Sequence, residues 1–116
     1  MIRRVSFIRR KDGITRDEFE AIWTGEHAAI VRQVPGIRGI RFSMIDHLAP
    51  ADIGWDGVGE TWFDTIADAD RAFATEPFAS RLAVNRPQFI GHAHSCYIVE
   101  RDPVPPSALA NLEEKK

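Results

Sequence analysis

The chain has 116 residues, of which 44% are hydrophobic, enough for one hydrophobic core and too short to suggest two domains. Its 15 basic and 17 acidic residues are interspersed and leave a net charge of -2, which argues against nucleic acid or an anionic membrane as a partner. A small neutral or weakly charged ligand fits this composition better. The single cysteine, the lack of a long apolar run and the lack of a signal-peptide core predict a cytoplasmic protein without an internal disulfide.

The first two predicted elements are a strand and a long helix. Alternating hydrophobic residues predict a strand that begins at Ile2 and ends near Arg10. Thr15 and Glu18 have the spacing of a capping box, so the helix should begin at about Thr15. It should continue to Gln33 and end before Pro35.

The next two elements are predicted to form an antiparallel hairpin. From Ile37 the sequence has period two, which predicts a second strand. One side of this strand carries hydrophobic residues, namely Ile40, Phe42 and Met44. A loop follows, and the aromatic and β-branched residues between Trp55 and Asp64 predict a third strand.

A second helical segment and a fourth strand complete the domain. Asp64 or Thr65 can cap a helix that is interrupted at Pro77, resumes briefly and is closed by Pro87. Alternation between Gln88 and Glu100 then predicts the last strand.

The order of elements is βαββαβ, the split ferredoxin-like arrangement, with a four-stranded antiparallel sheet and two helices on one face. We expect this domain to span residues 1–102, followed by a polar tail over 103–116 that is flexible or wraps a partner subunit. Strand residues are apolar on both sides of the sheet. Helices cover only one side, so we expect the other apolar side to be buried against a second copy of the chain, which predicts a homodimer.

His27 is the leading candidate for chemistry. It occupies a position on the hydrophobic stripe of the first helix, which is formed by Phe19, Trp23, His27, Ile30 and Val34. An imidazole titrates near neutral pH, so His27 is a candidate acid or base in a semi-buried pocket. The alternative is a core or interface histidine whose ring is satisfied by a carbonyl group.

The third strand indicates where a cavity would lie. Gly57, Gly59 and Thr61 share one side with Phe63 and leave volume unfilled. We therefore expect a cavity between this side and the helix stripe that carries Trp23 and His27. The alternative is that the glycines only permit close helix packing or a bulge.

Several charged residues have two interpretations. Glu60 would face away from the small-residue side and would need a partner, such as an arginine from the first strand or from the other subunit, so a structural role is favoured over a catalytic one. The basic run Arg9, Arg10 and Lys11 fits a solvated turn, although it could also neutralise a carboxylate-bearing ligand.

His92 and His94 lie two residues apart on the fourth strand and should project to the same side, with Cys96 next in line. Three interpretations remain open: a metal site, a ligand-lining or proton-transfer role, and a solvated or interface surface. A single strand with these residues lacks the usual fourth metal ligand, so no metal is predicted.

Two segments resemble the EthD-domain family of the dimeric α+β barrel superfamily. Glu18-Phe19, Trp23 and His27 are similar to the first-helix signature of that family, and the stretch from Asp56 to Asp64 is similar to its third strand. The resemblance implies a barrel of two sheets, one per subunit, with a ligand cavity between each sheet and its helices. Relatives include methylmuconolactone-type isomerases and proteins of polyketide cyclisation and decarboxylation. His27 is the position that carries over as catalytic.

No phosphate loop, nucleophile elbow or dinucleotide fingerprint occurs in the sequence, so we expect chemistry without a cofactor. The sequence predicts an acid/base isomerase, cyclase or lyase acting on a small hydrophobic lactone, aromatic or polyketide-like carbonyl compound. His27 would be catalytic, and the predicted substrate contacts are Trp23, Ile40, Phe42, Thr61, Phe63, His92 and His94. One alternative is a non-catalytic binding or accessory protein of a catabolic pathway. A further alternative, implied by the superfamily, is a haem-binding monooxygenase with His27 as axial ligand.

Overall fold

A computed structural model describes residues 1–46, 53–101 and 103–104. The predicted order of elements is confirmed. The described residues form four strands, β1 (Ile2–Arg10), β2 (Gly39–Met44), β3 (Gly57–Phe63) and β4 (Ile90–Ile98). The same residues form four α-helices, α1 (Arg16–Ile22), α2 (Ala28–Val31), α3 (Ile66–Ala74) and α4 (Phe78–Asn85). Of the predicted tail only Pro103 and Val104 fall within the described residues, so its role stays a prediction.

The first helical segment begins as the sequence predicts. Thr15 precedes α1 and accepts a hydrogen bond from the Glu18 backbone at 3.1 Å, while the Glu18 side chain accepts one from the Thr15 backbone at 3.3 Å. This reciprocal capping box satisfies two backbone donors at the start of the helix.

The same segment contains a wide turn that was not predicted. Residues Trp23–His27 form a π-helical turn between α1 and α2. Such a turn inserts an extra residue, so the buried stripe changes register after His27. Val31 is buried and continues the stripe, whereas Ile30, which the regular pattern placed there, is only half-buried. The prediction of Ile30 on the stripe was therefore wrong.

The sheet has the strand order β2-β3-β1-β4, and all neighbouring strands are antiparallel. It is an open sheet within one chain. Two hydrophobic clusters fill the space between the helices and the sheet. The first contains Ile8, Phe19, Trp23 and Phe89, and the second contains Val34, Phe63, Ala69 and Ala72.

The second helical segment is interrupted at Pro77, as predicted. Thr65 caps α3 by accepting a hydrogen bond from the Asp68 backbone at 3.1 Å. The peptide bond between Glu76 and Pro77 is cis, and α4 follows it. A short 3₁₀ turn, Arg86–Gln88, then leads into β4.

The sheet face away from the helices is less uniformly apolar than the sequence suggested. Phe7 is 38% exposed on this face, and Val5 beside it in the alternation is buried. The Arg3 guanidinium, however, contacts the Glu60 carboxylate at 2.7 Å. Within the described residues, no helix combines the length and the apolar character needed to cross a bilayer.

Candidate functional site

A cavity of about 340 Å³ lies between the sheet and the helices, within the size range of small-molecule pockets. Its apolar lining comes from Ile8, Trp23, Val31, Phe42, Gly59, Phe73, Pro87, Ile90 and Ala93. Its polar lining comes from Arg4, Ser6, His27, Thr61, Arg86 and Ser95. The cavity therefore has apolar walls and a small set of hydrogen-bonding groups, the usual composition of a ligand site.

His27 reaches this cavity from the end of the π-helical turn and is 8% exposed. Its ring is fixed from three sides. Phe89 packs edge-on with the ring centroids 5.1 Å apart, and Phe42 is tilted at 5.9 Å. Asn85 at the end of α4 places its Oδ1 atom 2.7 Å from Nδ1 of His27. A carbonyl oxygen only accepts, so His27 donates from Nδ1 and, when neutral, keeps its lone pair on Nε2.

The environment keeps the ring of His27 neutral at pH 7. Burial lowers its pKa from the ordinary 6.5 to about 4, because the charged imidazolium loses its hydration. The hydrogen bond with Asn85 acts in the opposite direction, and the positive charges of Arg86 and Arg4 lower the pKa further. The neutral imidazole has a lone pair on Nε2 that can accept a proton, and its low pKa makes it a weaker base than an exposed histidine.

The sequence allowed two roles for the glycines of β3, close helix packing or lining a cavity, and the structure shows one of each. A Cβ atom on Gly57 would lie 2.4 Å from Cζ3 of Trp23, so Gly57 permits close packing of the helix against the sheet. Gly59 lines the cavity, although a Cβ atom there would also lie 3.3 Å from Cζ2 of Trp23. Gly57 thus allows the Trp23 indole to pack against the sheet as one wall of the cavity, and the missing side chain of Gly59 leaves space beside that indole.

Not all of the predicted substrate contacts meet at this cavity. Trp23, Phe42 and Thr61 line it together with His27. Ile40 and Phe63 lie outside the lining, and Phe63 instead belongs to the core cluster under α3. Trp23 and Phe42 form one continuous wall, since their rings stack with centroids 4.5 Å apart.

His92 and His94 also lie outside the cavity. The pairing of β4 with β1 shifts register between Arg9 and Arg10, at the point where Gly91 approaches the Arg10 carbonyl. Ala93 and Ser95 consequently face the cavity, while the two histidines are exposed and lie against Trp55. Their Nε2 atoms are 3.1 Å apart. In the described part of the chain, no group of three or more metal-ligating side chains comes together.

The other charged residues considered from sequence have structural contacts. The Arg3–Glu60 ion pair supplies the first-strand arginine that Glu60 was expected to require. Arg9 donates to the Gly54 carbonyl at 2.7 Å, and Arg10 approaches the Asp56 carboxylate at 3.9 Å. None of these side chains lines the cavity.

Four polar residues of the cavity lining and one supporting residue were not identified from the sequence. The first four are Arg4, Ser6, Arg86 and Ser95, and the fifth is Asn85. The position of Arg4 could have been predicted, because strict alternation places it on the helix-facing side of β1 between Ile2 and Ile8. No sequence pattern predicts Asn85 and Arg86, since their role depends on how the end of α4 docks against the first helix.

The chain belongs to the EthD family, since the EthD domain matches residues 11–93. This confirms the resemblance seen in the first helix and third strand. No curated protein matches the sequence.

Solved structures share the fold at low sequence identity. An EthD family protein from Bacillus halodurans superposes with a TM-score of 0.72 at 16% identity, covering 87% of this chain and 99% of the other. A dimeric ferredoxin-like protein of unknown function from Thermobifida fusca superposes with a TM-score of 0.64 at 20% identity, covering 85% of this chain and 90% of the other. A hydroxynitrile lyase from Passiflora edulis superposes with a TM-score of 0.67 at 17% identity, covering 90% of this chain and 96% of the other. At these identities the similarity establishes the ferredoxin-like fold.

Proposed function

We propose that this protein is a cofactor-independent acid/base enzyme, an isomerase, cyclase or lyase, acting on a small hydrophobic carbonyl compound. The observation that carries the proposal is the buried, neutral His27, which lines the cavity and whose Nδ1 is hydrogen-bonded to Asn85. The occurrence of a lyase on the same fold is consistent with this class of chemistry.

The proposed step is a proton transfer at carbon. His27 Nε2 takes a proton from a carbon next to the substrate carbonyl, the electron pair moves onto the carbonyl oxygen, and the imidazolium returns the proton at another position. A positioned acid/base group contributes roughly 10²- to 10⁴-fold in rate.

Hydrogen exchange at carbon tests this step without knowledge of the complete reaction. The protein is incubated in D₂O with a panel of lactones, hydroxylated aromatic acids and phenolic ketones, and deuterium incorporation is followed by proton NMR. We expect enzyme-dependent exchange next to the carbonyl for at least one compound, and a loss of at least about 100-fold in His27→Gln.

His92→Gln is the matched control, because it makes the same chemical change at an exposed histidine on the opposite face of the sheet. It should exchange at the wild-type rate. If a compound raises the melting temperature but shows no exchange, the protein is a binding or accessory module instead. A Soret absorption band on titration with haemin, lost in His27→Gln, would favour the haem-binding alternative.

We also propose that the protein is a homodimer formed through the exposed face of the sheet. Phe7 lies on this face and contacts Trp55 with ring centroids 6.1 Å apart. An exposed aromatic cluster beside hydrophobic strand residues is typical of a surface that another protein covers. A dimeric ferredoxin-like neighbour supports a second copy of this chain as that protein.

A further inference from the structure

Two arginines line the same cavity as His27, one from each side. Arg4 projects from β1, and Arg86 begins the 3₁₀ turn that follows α4. Both are half-buried. A guanidinium carries its charge at any pH that a protein tolerates, so the cavity holds two permanent positive charges among apolar walls.

Among the described residues, no carboxylate offsets the charge of Arg86. Within the described residues its side chain forms no ion pair and no hydrogen bond, and the charge that acts on it most is the positive charge of Arg4. Burial and this repulsion both lower the pKa of Arg86. A partly desolvated cation without a partner is costly, and a bound anion would remove much of that cost.

Arg4 is held in place but is also not neutralised by direct contact. Its guanidinium lies 4.7 Å from the ring centroid of Phe73 and donates to Ser6 Oγ at 3.3 Å. Asp70 acts on Arg4 only through its charge and accepts a hydrogen bond from Tyr97. The exposed Asp70 carboxylate therefore screens Arg4 without occupying its donors at the cavity.

A neutral hydrogen-bond donor lies beside the two cations. Thr61 is the direct partner of Arg4 in the β1–β3 register, so their side chains project to the same face of the sheet. Its hydroxyl is buried and has no partner within residues 1–46, 53–101 and 103–104. The serine pair formed by Ser6 and Ser95, with oxygens 2.8 Å apart, adds further hydroxyl groups on this wall.

We propose that Arg86, Arg4 and Thr61 form an anion-binding subsite, and that the ligand of this cavity is a hydrophobic monocarboxylate whose carboxylate lies on these donors while its apolar part contacts the aromatic wall. The proposal rests on the proposed function in taking this cavity as the substrate site. It narrows the expectation, drawn from overall charge, of a neutral or weakly charged ligand to a ligand that carries a single negative charge. It also places carboxylate recognition at Arg4 and Arg86 rather than at the Arg9–Lys11 run.

Paired ligands that differ only in charge test the subsite. Isothermal titration calorimetry compares trans-cinnamate with trans-cinnamamide, and benzoate with benzamide as a smaller pair, on the full chain at neutral pH. We expect each carboxylate to bind about tenfold or more tightly than its amide, because charge-assisted hydrogen bonds are stronger than neutral ones. In Arg86→Met this preference should disappear, while amide binding changes little.

Arg81→Met is the matched control, since Arg81 lies on the exposed surface of α4, five positions before Arg86, and does not line the cavity. It should retain the full carboxylate preference. Arg86→Lys keeps the charge but loses the planar fork, so it should retain part of the preference. Arg86→Lys also replaces Arg86→Met as the test variant if thermal melting shows that Arg86→Met is unfolded.

Three results would overturn the subsite: no binding of either carboxylate, equal affinity for acid and amide in the wild type, or the same loss in Arg81→Met. His27→Gln separates this proposal from the proposed function. A protein that prefers carboxylates with or without His27 but catalyses no exchange has the subsite and not the catalysis. Exchange on neutral ketones without any carboxylate preference would show the reverse.

Discussion

His27 and Asn85 are joined by a buried hydrogen bond of 2.7 Å between Nδ1 and Oδ1, which connects the first helical segment to the end of α4. The two residues are 58 positions apart in the chain. Asn85 is 1% exposed, and its Nδ2 atom has no partner among the described residues. Among the described residues, the Asn85 side chain therefore forms a hydrogen bond with His27 only, through its oxygen.

Replacing Asn85 by aspartate should raise the pKa of His27. A carboxylate at this position stabilises the imidazolium by charge as well as by hydrogen bonding, and the substitution replaces the Nδ2 group, which has no partner among the described residues, with a second carboxylate oxygen. We expect the pKa of His27 to rise by about one unit or more from its value near 4. Proton NMR titration of the imidazole ring measures the change.

The signals of His92 and His94 provide an internal control in the same spectra, because both lie on the opposite face of the sheet. They should not respond to Asn85→Asp. A pKa of His27 that stays at about 4 in Asn85→Asp would show that Asn85 does not determine its protonation.

The low pKa of His27 should make the fold less stable in mild acid. Between pH 6.5 and about pH 4 the unfolded chain binds a proton on this residue that the folded chain excludes, so stability falls as the pH falls through this window. Between about pH 7 and about pH 4.5 the contribution to the free energy of unfolding is about 2 kcal/mol. Urea denaturation of wild type and His27→Gln at both pH values measures it.

The His27→Gln variant is the reference, because it retains all the other groups that titrate in this range. On acidification it should lose about 2 kcal/mol less stability than the wild type, which is the contribution assigned to His27. Equal losses in the two proteins would mean that His27 ionises as easily in the fold as in the unfolded chain.

Gly57→Ala should destabilise the fold, because the added methyl group would meet Trp23 Cζ3 at 2.4 Å and the Ser43 carbonyl oxygen at 3.2 Å. Overpacking of this kind costs about 1–3 kcal/mol. Gly25→Ala is the control, since nothing lies within 4 Å of the new Cβ atom and alanine favours helix. Chemical denaturation should show opposite signs for the two substitutions, and a neutral Gly57→Ala would contradict the packing described for Trp23.

Phe7→Glu should convert the proposed dimer to a monomer. The glutamate places a charge on the exposed sheet face, while the 38% exposure of Phe7 in one subunit leaves the monomer fold largely intact. Val84→Glu is the control, because Val84 is 70% exposed on α4. Sedimentation velocity should show a dimer for wild type and Val84→Glu. A monomeric wild type, or a dimeric Phe7→Glu, would exclude this face as the interface.

Local patterns in the sequence determined the elements. Thr15 with Glu18 predicted the start of the first helix, and Pro77 predicted the break in the second, because capping and the missing proline N–H act within a few residues. Alternation predicted the faces of the first three strands. Alternation also placed His92 and His94 on one side of β4, which is confirmed, but it did not determine that this side faces away from the helices, because a register shift between Arg9 and Arg10 lies just before them.

The sequence by itself therefore determined the βαββαβ order and the unusual position of His27, since these depend on periodicity and on short-range hydrogen bonds. The family was indicated by the resemblance of the first helix and the third strand to known members. Only the tertiary structure decided what surrounds His27. Asn85 and Arg86 meet it because the end of α4 docks beside the π-helical turn, and Arg4 and Thr61 meet because β1 and β3 pair in one register. Such contacts between distant parts of the chain have no local pattern, because packing of the whole core sets them.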